Sequence, residues 1–163
     1  MLRPEAHPGM ASNISAVNVR PRSIDDIEEC VRMFSVIHDR DGYPIYLPDD
    51  LTAFVATGGE LGAWVATDGK AIIGHVALHP RSWVGVMGVA RNALGCGEDE
   101  IAVVARLAVA PSARRLGVGR ALLRHATLDG VRLGRRPVLD VAAHYDAAIR
   151  LYERGRLRQS RLS

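Results

Sequence analysis

Apolar positions along the chain change their spacing several times, and the changes divide it into elements. Val17–Arg22 reads as a short strand. Ser23 with Asp26 three positions on resembles a capping box. Ile27, Cys30, Val31 and Phe34 then fall at i, i+3, i+4 and i+7, one apolar stripe of a helix. Residues 39–48, DRDGYPIYLP, form a loop because a Gly and two Pro interrupt them, and Asp49 or Asp50 is placed to cap a short helix to about Thr57. Leu61–Thr67 and Ala71–His79 are apolar runs separated by Asp68-Gly69-Lys70, a hairpin signal. Ser82–Gly97 is small, apolar and without a clear period, so it reads as a loop holding a short helix. Glu100–Ala110, EIAVVARLAVA, is almost continuously apolar and suits a central strand buried on both faces, ended by Pro111. Over residues 116–134, Gly119, Leu122, Leu123, Ala126, Gly130 and Leu133 make one helical face, with Arg120, Arg124 and Thr127 opposite. Pro137–Ala142 reads as a second buried strand, and Asp146 as the cap of a last helix carrying Ala148, Leu151 and Tyr152 on one side.

This order predicts an α/β fold of mixed α and β layers with an antiparallel first half. The closing strand–helix–strand unit makes its two strands parallel, since a helical crossover joins them. The 163 residues suit one domain. Residues 1–16 lack periodicity and read as a mobile tail. No apolar run is long enough for a membrane span and no signal-peptide core is visible, so no membrane partner is expected. Two cysteines, Cys30 and Cys96, make no disulfide framework, which points to a reducing, cytoplasmic setting.

Charge changes the picture only when it is located. The net charge of +3 combines an acidic region before residue 106, with eight basic and fourteen acidic residues, and an arginine-rich remainder with thirteen and four. Arginine donates to phosphate through a planar fork, so this remainder is a candidate anion site. Aromatics are only 5% and form no stacking pattern, so no nucleic-acid partner is expected.

The densest chemistry lies in Arg106–Ala126, RLAVAPSARRLGVGRALLRHA. A buried strand ends at a proline, a loop with Arg114 and Arg115 follows, then Gly117-Val118-Gly119 and a helix. Amides at a helix N-terminus attract anions, and glycine clears the approach to them. This is a pyrophosphate cradle. A Walker loop would need Gly-Lys-Ser/Thr, which is absent; a dinucleotide fingerprint would need a third glycine where Leu122 stands, and only Asp140 in the next strand supports it.

The segment resembles the GNAT family of acyl-CoA-dependent N-acyltransferases. Arg114-Arg115-Leu116-Gly117-Val118-Gly119 matches that family's loop Gln/Arg-x-x-Gly-x-Gly/Ala, flanked by a matching LAVAP and ALL. Ala148-Ile149-Arg150-Leu151-Tyr152-Glu153 is similar to its later helix. The resemblance implies an N-acetyltransferase domain over residues 17–157, with acetyl-CoA as cosubstrate, no metal, and a primary amine of a small molecule or protein as acceptor. It implies two parallel strands that splay apart around the pantetheine arm. Leu107, Ala108 and Val109 would pair with pantetheine amides, and Arg114, Arg115, Leu116, Gly117, Val118, Gly119 and Arg120 would surround the pyrophosphate. Asp146 would lie near the CoA arm, and Tyr152 would protonate the leaving thiolate.

The chain also departs from the family. After Leu151-Tyr152-Glu153 it reads Arg154-Gly155-Arg156-Leu157, with the glycine one place early and only six Arg-rich residues, 158–163, beyond. The terminal hairpin is therefore expected to be missing, leaving an unpaired edge that a homodimer would cover. Where the histone-acetylating branch has a glutamate base, this chain has about Val103. Glu100, with Glu98 and Asp99 beside it, is the candidate base, and His75 and His79, four apart on one strand, are base or ligand candidates. An acyl-CoA-binding protein of weak or no activity is the alternative to an enzyme.

Overall fold

The alternating and continuous apolar runs assemble into one sheet with a separate core on each face. The computed structural model describes residues 17–44, 47–82, 84–140 and 158–160. Six strands lie in sequence order: β1 (Val17–Pro21), β2 (Gly62–Asp68), β3 (Ala71–His79), β4 (Ile101–Val109), β5 (Arg136–Asp140) and β6 (Arg158–Ser160). Neighbours from β1 to β4 are antiparallel; β4–β5 and β5–β6 are parallel. The helices are α1 (Ile27–Asp41), α2 (Leu51–Val55), α3 (Val84–Leu94) and α4 (Val118–Arg132).

Local chemistry sets the first turns. Ser23 N donates to Asp26 Oδ2 at 2.7 Å, and Arg20 grips both oxygens of that carboxylate at 2.7 and 2.8 Å. The Arg20 bonds hold the buried Asp26 carboxyl well below the usual range. The β2–β3 hairpin closes with Asp68 opposite Ala71, as the Asp-Gly signal predicts.

One face packs Trp64, Ala66, Val76, Leu78, Ala102, Val104 and Leu139 against Val118, Leu122, Leu123 and Ala126 of α4. On the other, Val65, Ile72 and Ala108 meet Cys30, Met33, Phe34 and Ile37 of α1 and Val55 of α2. Farther along that second face, Ile101, Val103 and Val138 lie under Met87 and Ala90 of α3. Each large side chain closed off here contributes roughly 1.5–3 kcal/mol of transfer free energy.

The structure corrects three boundaries. In Ser82–Gly97 the short helix expected within a loop is α3, which runs eleven residues and takes up most of the segment. α1 runs to Asp41, taking the first residues of the expected loop. The tail that was expected to leave the sheet edge bare supplies β6, with Val138, Leu139 and Asp140 opposite Arg158, Gln159 and Ser160. The helix expected after Asp146 lies outside the described residues.

Candidate active site

The site begins at the end of the β4–β5 ladder. The two pair from Ile101–Arg136 to Val104–Leu139, and from Ala105 on β4 has no β5 partner among the described residues. A bulge coincides with that end. Ala77 pairs with Ala105, but His75 pairs with Ala108, so β4 carries one extra residue around Arg106 and Leu107. Bulges bend a strand and sharpen its twist. Arg106 adopts φ 55°, a conformation that costs a residue with a side chain about 1–2 kcal/mol.

A buried network holds that strained residue. His75 is fully buried, with Nδ1 2.9 Å from Arg106 O and Nε2 3.0 Å from Arg22 Nη1. Arginine can only donate, so Nε2 accepts; Nδ1 then carries the proton and donates to the bulge carbonyl. Both bonds require a neutral ring, and burial accordingly lowers His75 to about 4. Arg22 also donates to Val55 O at 2.6 Å and pairs with Glu60 at 3.5 Å. Burial pushes the Glu60 carboxyl up, but its backbone N–H bonds, including Thr57 at 2.7 Å, together with Arg22 outweigh that and hold it at about 2. Arg106 donates from Nε to Phe54 O at 3.2 Å, and its guanidinium stands 3.9 Å over the Phe54 ring. His75 is thus a clamp on the bulge, already committed to two partners. His79 is different: its Nε2 is buried and has no hydrogen-bond partner among the described residues.

Past the bulge, Leu107, Ala108 and Val109 end β4, where sequence reasoning put the pantetheine contacts. A short 3-10 turn, Pro111–Ala113, leads to Arg114 and Arg115, the latter at φ 65°. Gly117 caps α4 at φ 79°, and a Cβ there would meet no atom of the chain within 4 Å. Glycine therefore serves the backbone angle and leaves the approach to the helix end clear. The first intrahelical bond is Ala121 N to Gly117 O, and no side chain caps the helix. The amides of Val118, Gly119 and Arg120 thus point out of the N-terminus. Arg115 and Arg120 are exposed beside them, while Arg114 is bound to Asp41. Asp41 ends α1, a poor place for a carboxylate near the negative helix pole, and its hydrogen bond to Arg114 holds it below its ordinary range. A shallow groove of about 400 Å³ runs beside this loop, between Arg32, Met33, Val36 and Arg40 of α1 and Ala110–Ser112.

The candidate residues do not all converge. The β4 end and the arginine loop are contiguous. Glu100 stands at the other end of β4, exposed, its carboxylate bonded to Gly97 N at 2.8 Å. At ~3.3 Å per residue it is about 20 Å from the bulge, so the structure does not bring it to the site. Tyr152 and Asp146 lie outside the described residues. Sequence reasoning missed Asp41, Phe54, Arg22 and Glu60, which act through contacts distant in sequence. It also missed Gly74, where a Cβ would fall 2.7 Å from Leu122 Cδ1 and 3.0 Å from Val118 Cγ1. A glycine inside an apolar strand is a readable sign of such close approach. Among the described residues no three His, Cys, Asp or Glu gather as metal ligands, and no helix is long and apolar enough to cross a membrane.

A family model described as acetyltransferase (GNAT) family matches residues 27–156. The chain belongs to the GNAT family. This family is one of acyl-CoA-dependent N-acyltransferases. Its solved members include structures of similar fold. Arabidopsis thaliana NAA60 in complex with acetyl-CoA is 25% identical, with a TM-score of 0.67 over 89% of this chain and 86% of that one. A GCN5-related N-acetyltransferase from Ralstonia eutropha is 23% identical, with a TM-score of 0.66 over 90% and 96%. The ribosomal-protein-S18-alanine N-acetyltransferase of Escherichia coli is 19% identical, with a TM-score of 0.64 over 89% and 79%. No curated protein sequence matches this chain. Among the described residues of this GNAT chain, the β4–β5 ladder runs from Ile101–Arg136 to Val104–Leu139.

Proposed function

We propose that the protein transfers an acetyl group from acetyl-CoA to a primary amine by direct attack of the amine on the thioester. The observation that carries this reading is that β4, without a β5 partner from Ala105 among the described residues, leads into a helix N-terminus that has no side-chain cap and has Arg115 and Arg120 exposed beside it. An extended chain bearing amides and ending in a pyrophosphate fits that succession of groups. Leu107, Ala108 and Val109 would pair with the pantetheine, the Arg114–Arg120 loop would take the phosphates, and Tyr152 would return a proton to the thiolate. Acetyl-CoA in NAA60, a structure of similar fold, supports the choice of cosubstrate. Glu100 has no part in this reading, because its place on β4 is remote. We place the protein in the cytoplasm, where the free Cys30 and Cys96 stay reduced. Association with a second copy fits the exposed Leu128, Val131 and Leu133 of and beyond α4.

The test is titration with acetyl-CoA by calorimetry, followed by thiol release with a panel of amines. Gly119→Val puts a branched side chain beside the amides; it should abolish binding while melting near the wild-type temperature. Tyr152→Phe should bind acetyl-CoA normally but turn over ~10²-fold more slowly. Normal binding by Gly119→Val would refute the cradle. Binding without thiol release from any amine would favour an acyl-CoA-binding protein over an enzyme.

A further inference from the structure

The imidazole of His79 has a ring nitrogen that no hydrogen bond among the described residues uses. Its Nε2 is buried and unpartnered among the described residues, whereas His75, on the same strand, spends both ring nitrogens on the bulge. A buried polar atom without a partner is costly, so its persistence asks for a function. His79 lies opposite Val103, which in turn lies opposite Val138, so the three form one row across β3, β4 and β5. Directly paired residues share a face. The next pair on this face, one step toward the bulge, is Ala77 and Ala105, whose side chains are only methyl groups. That step is about 7 Å, and Ala105 is where the β4 edge loses its β5 partner. His79 therefore lies on the face of the bulge, one step along the strand from Ala77 and Ala105.

We propose that His79 is the proton acceptor of the acyl-transfer step, taking the amine proton at Nε2 directly or across one water. This rests on the acetyl-transfer reading above. The amine lone pair forms the C–N bond to the thioester carbonyl carbon, and the C=O pair moves to oxygen. It returns as the C–S bond breaks and CoA leaves as thiolate. The nitrogen sheds one proton to His79; the thiolate takes one from Tyr152 or solvent, and His79 passes its own to solvent. Amine and acetyl-CoA thus give amide and CoA thiol. Once bonded to carbon the nitrogen is cationic and strongly acidic, so a base of reduced strength suffices. Burial lowers the His79 pKa, helped by Arg106 on β4 and by Arg22 before α1 and opposed by Glu60 ahead of β2. The ring is then neutral, and able to accept, across the physiological range.

The test compares wild type with His79→Gln and His79→Asn, with the exposed His125→Gln of α4 as control. Thiol release from acetyl-CoA is followed with glycinamide, and with water alone, from about pH 5 to pH 8. The wild-type rate should rise to a plateau with a midpoint below the ordinary histidine value of about 6.5. Both His79 variants should lose that limb and fall ~10²-fold in kcat, with the acetyl-CoA KM unchanged. Imidazole NMR should show His79 Nε2 unprotonated at neutral pH and its resonance shifting on addition of glycinamide to the acetyl-CoA complex. Melting curves at each pH separate these effects from loss of fold. If acetyl-CoA does not bind, the acyl-transfer reading fails. If it binds and is turned over but the His79 variants keep rate and pH limb, the His79 assignment alone is wrong. An ordinary His79 pKa with no response to the amine also overturns it.

Discussion

At the scale of single residues, His75 links acidity to folding. Its folded pKa of about 4 lies below the ordinary value of about 6.5, so between the two the unfolded chain binds a proton that the native chain refuses. Its contribution is fully present above pH 6.5 and declines as pH falls toward 4, by about 3 kcal/mol in all. Urea unfolding at a series of pH values should show this slope, and His75→Gln should flatten it while starting from a lower stability at neutral pH. An equal slope in both proteins would show that the ring does not titrate in this way. Glu60, held at about 2, acts in a separate, lower window: its contribution is complete above the ordinary carboxylate range and is lost on acidification toward 2. The clamp could not be read from the chain, because Arg22 and Arg106 lie 53 and 31 positions from His75.

At the scale of elements, close contact between β3 and α4 sets the cradle. Gly74 lets Leu122 Cδ1 and Val118 Cγ1 come to 2.7 and 3.0 Å of where a Cβ would stand, so an added Cβ would make these side chains shift. Gly74→Ala should lift the first turn of α4, cost about 1–3 kcal/mol as an overpacked site, and weaken acetyl-CoA binding. Adding Val118→Ala should recover part of both losses; calorimetry and melting on the double variant check this, and no recovery would place the effect elsewhere. The same elements explain what the sequence revealed. α1 was legible because Cys30 and Phe34 recur on one buried stripe, and the hairpin because its turn signal is local. The arginine loop was legible for the same reason: its residues are contiguous. α3 was not, since Gly85, Gly88 and its small side chains weaken both propensity and period. β6 carries Arg158, Gln159 and Ser160, which show no apolar alternation, and only its pairing with β5 defines it. The bulge was hidden because it is a property of the β3–β4 register, not of β4 alone.

At the scale of the whole molecule, the arginine-rich last third and the acidic first part meet at one ion pair. Asp41 and Arg114 are 73 residues apart, and their contact ties the end of α1 to the arginine loop. Asp41 belongs to the stretch His38-Asp39-Arg40-Asp41-Gly42-Tyr43-Pro44, which the GNAT resemblance implies is a wall of the acceptor site. An arriving pyrophosphate competes with the carboxylate for the same guanidinium, since both use its fork of donors. If acetyl-CoA binds as proposed, its entry should loosen Asp41 before the acceptor wall settles around an amine. Steady-state kinetics should be compulsory-order, with CoA competitive against acetyl-CoA and mixed against the amine. Asp41→Asn should tighten acetyl-CoA binding and relax the order toward random entry. Random-order kinetics in the wild-type protein would mean that the two substrates arrive without consulting each other through this pair.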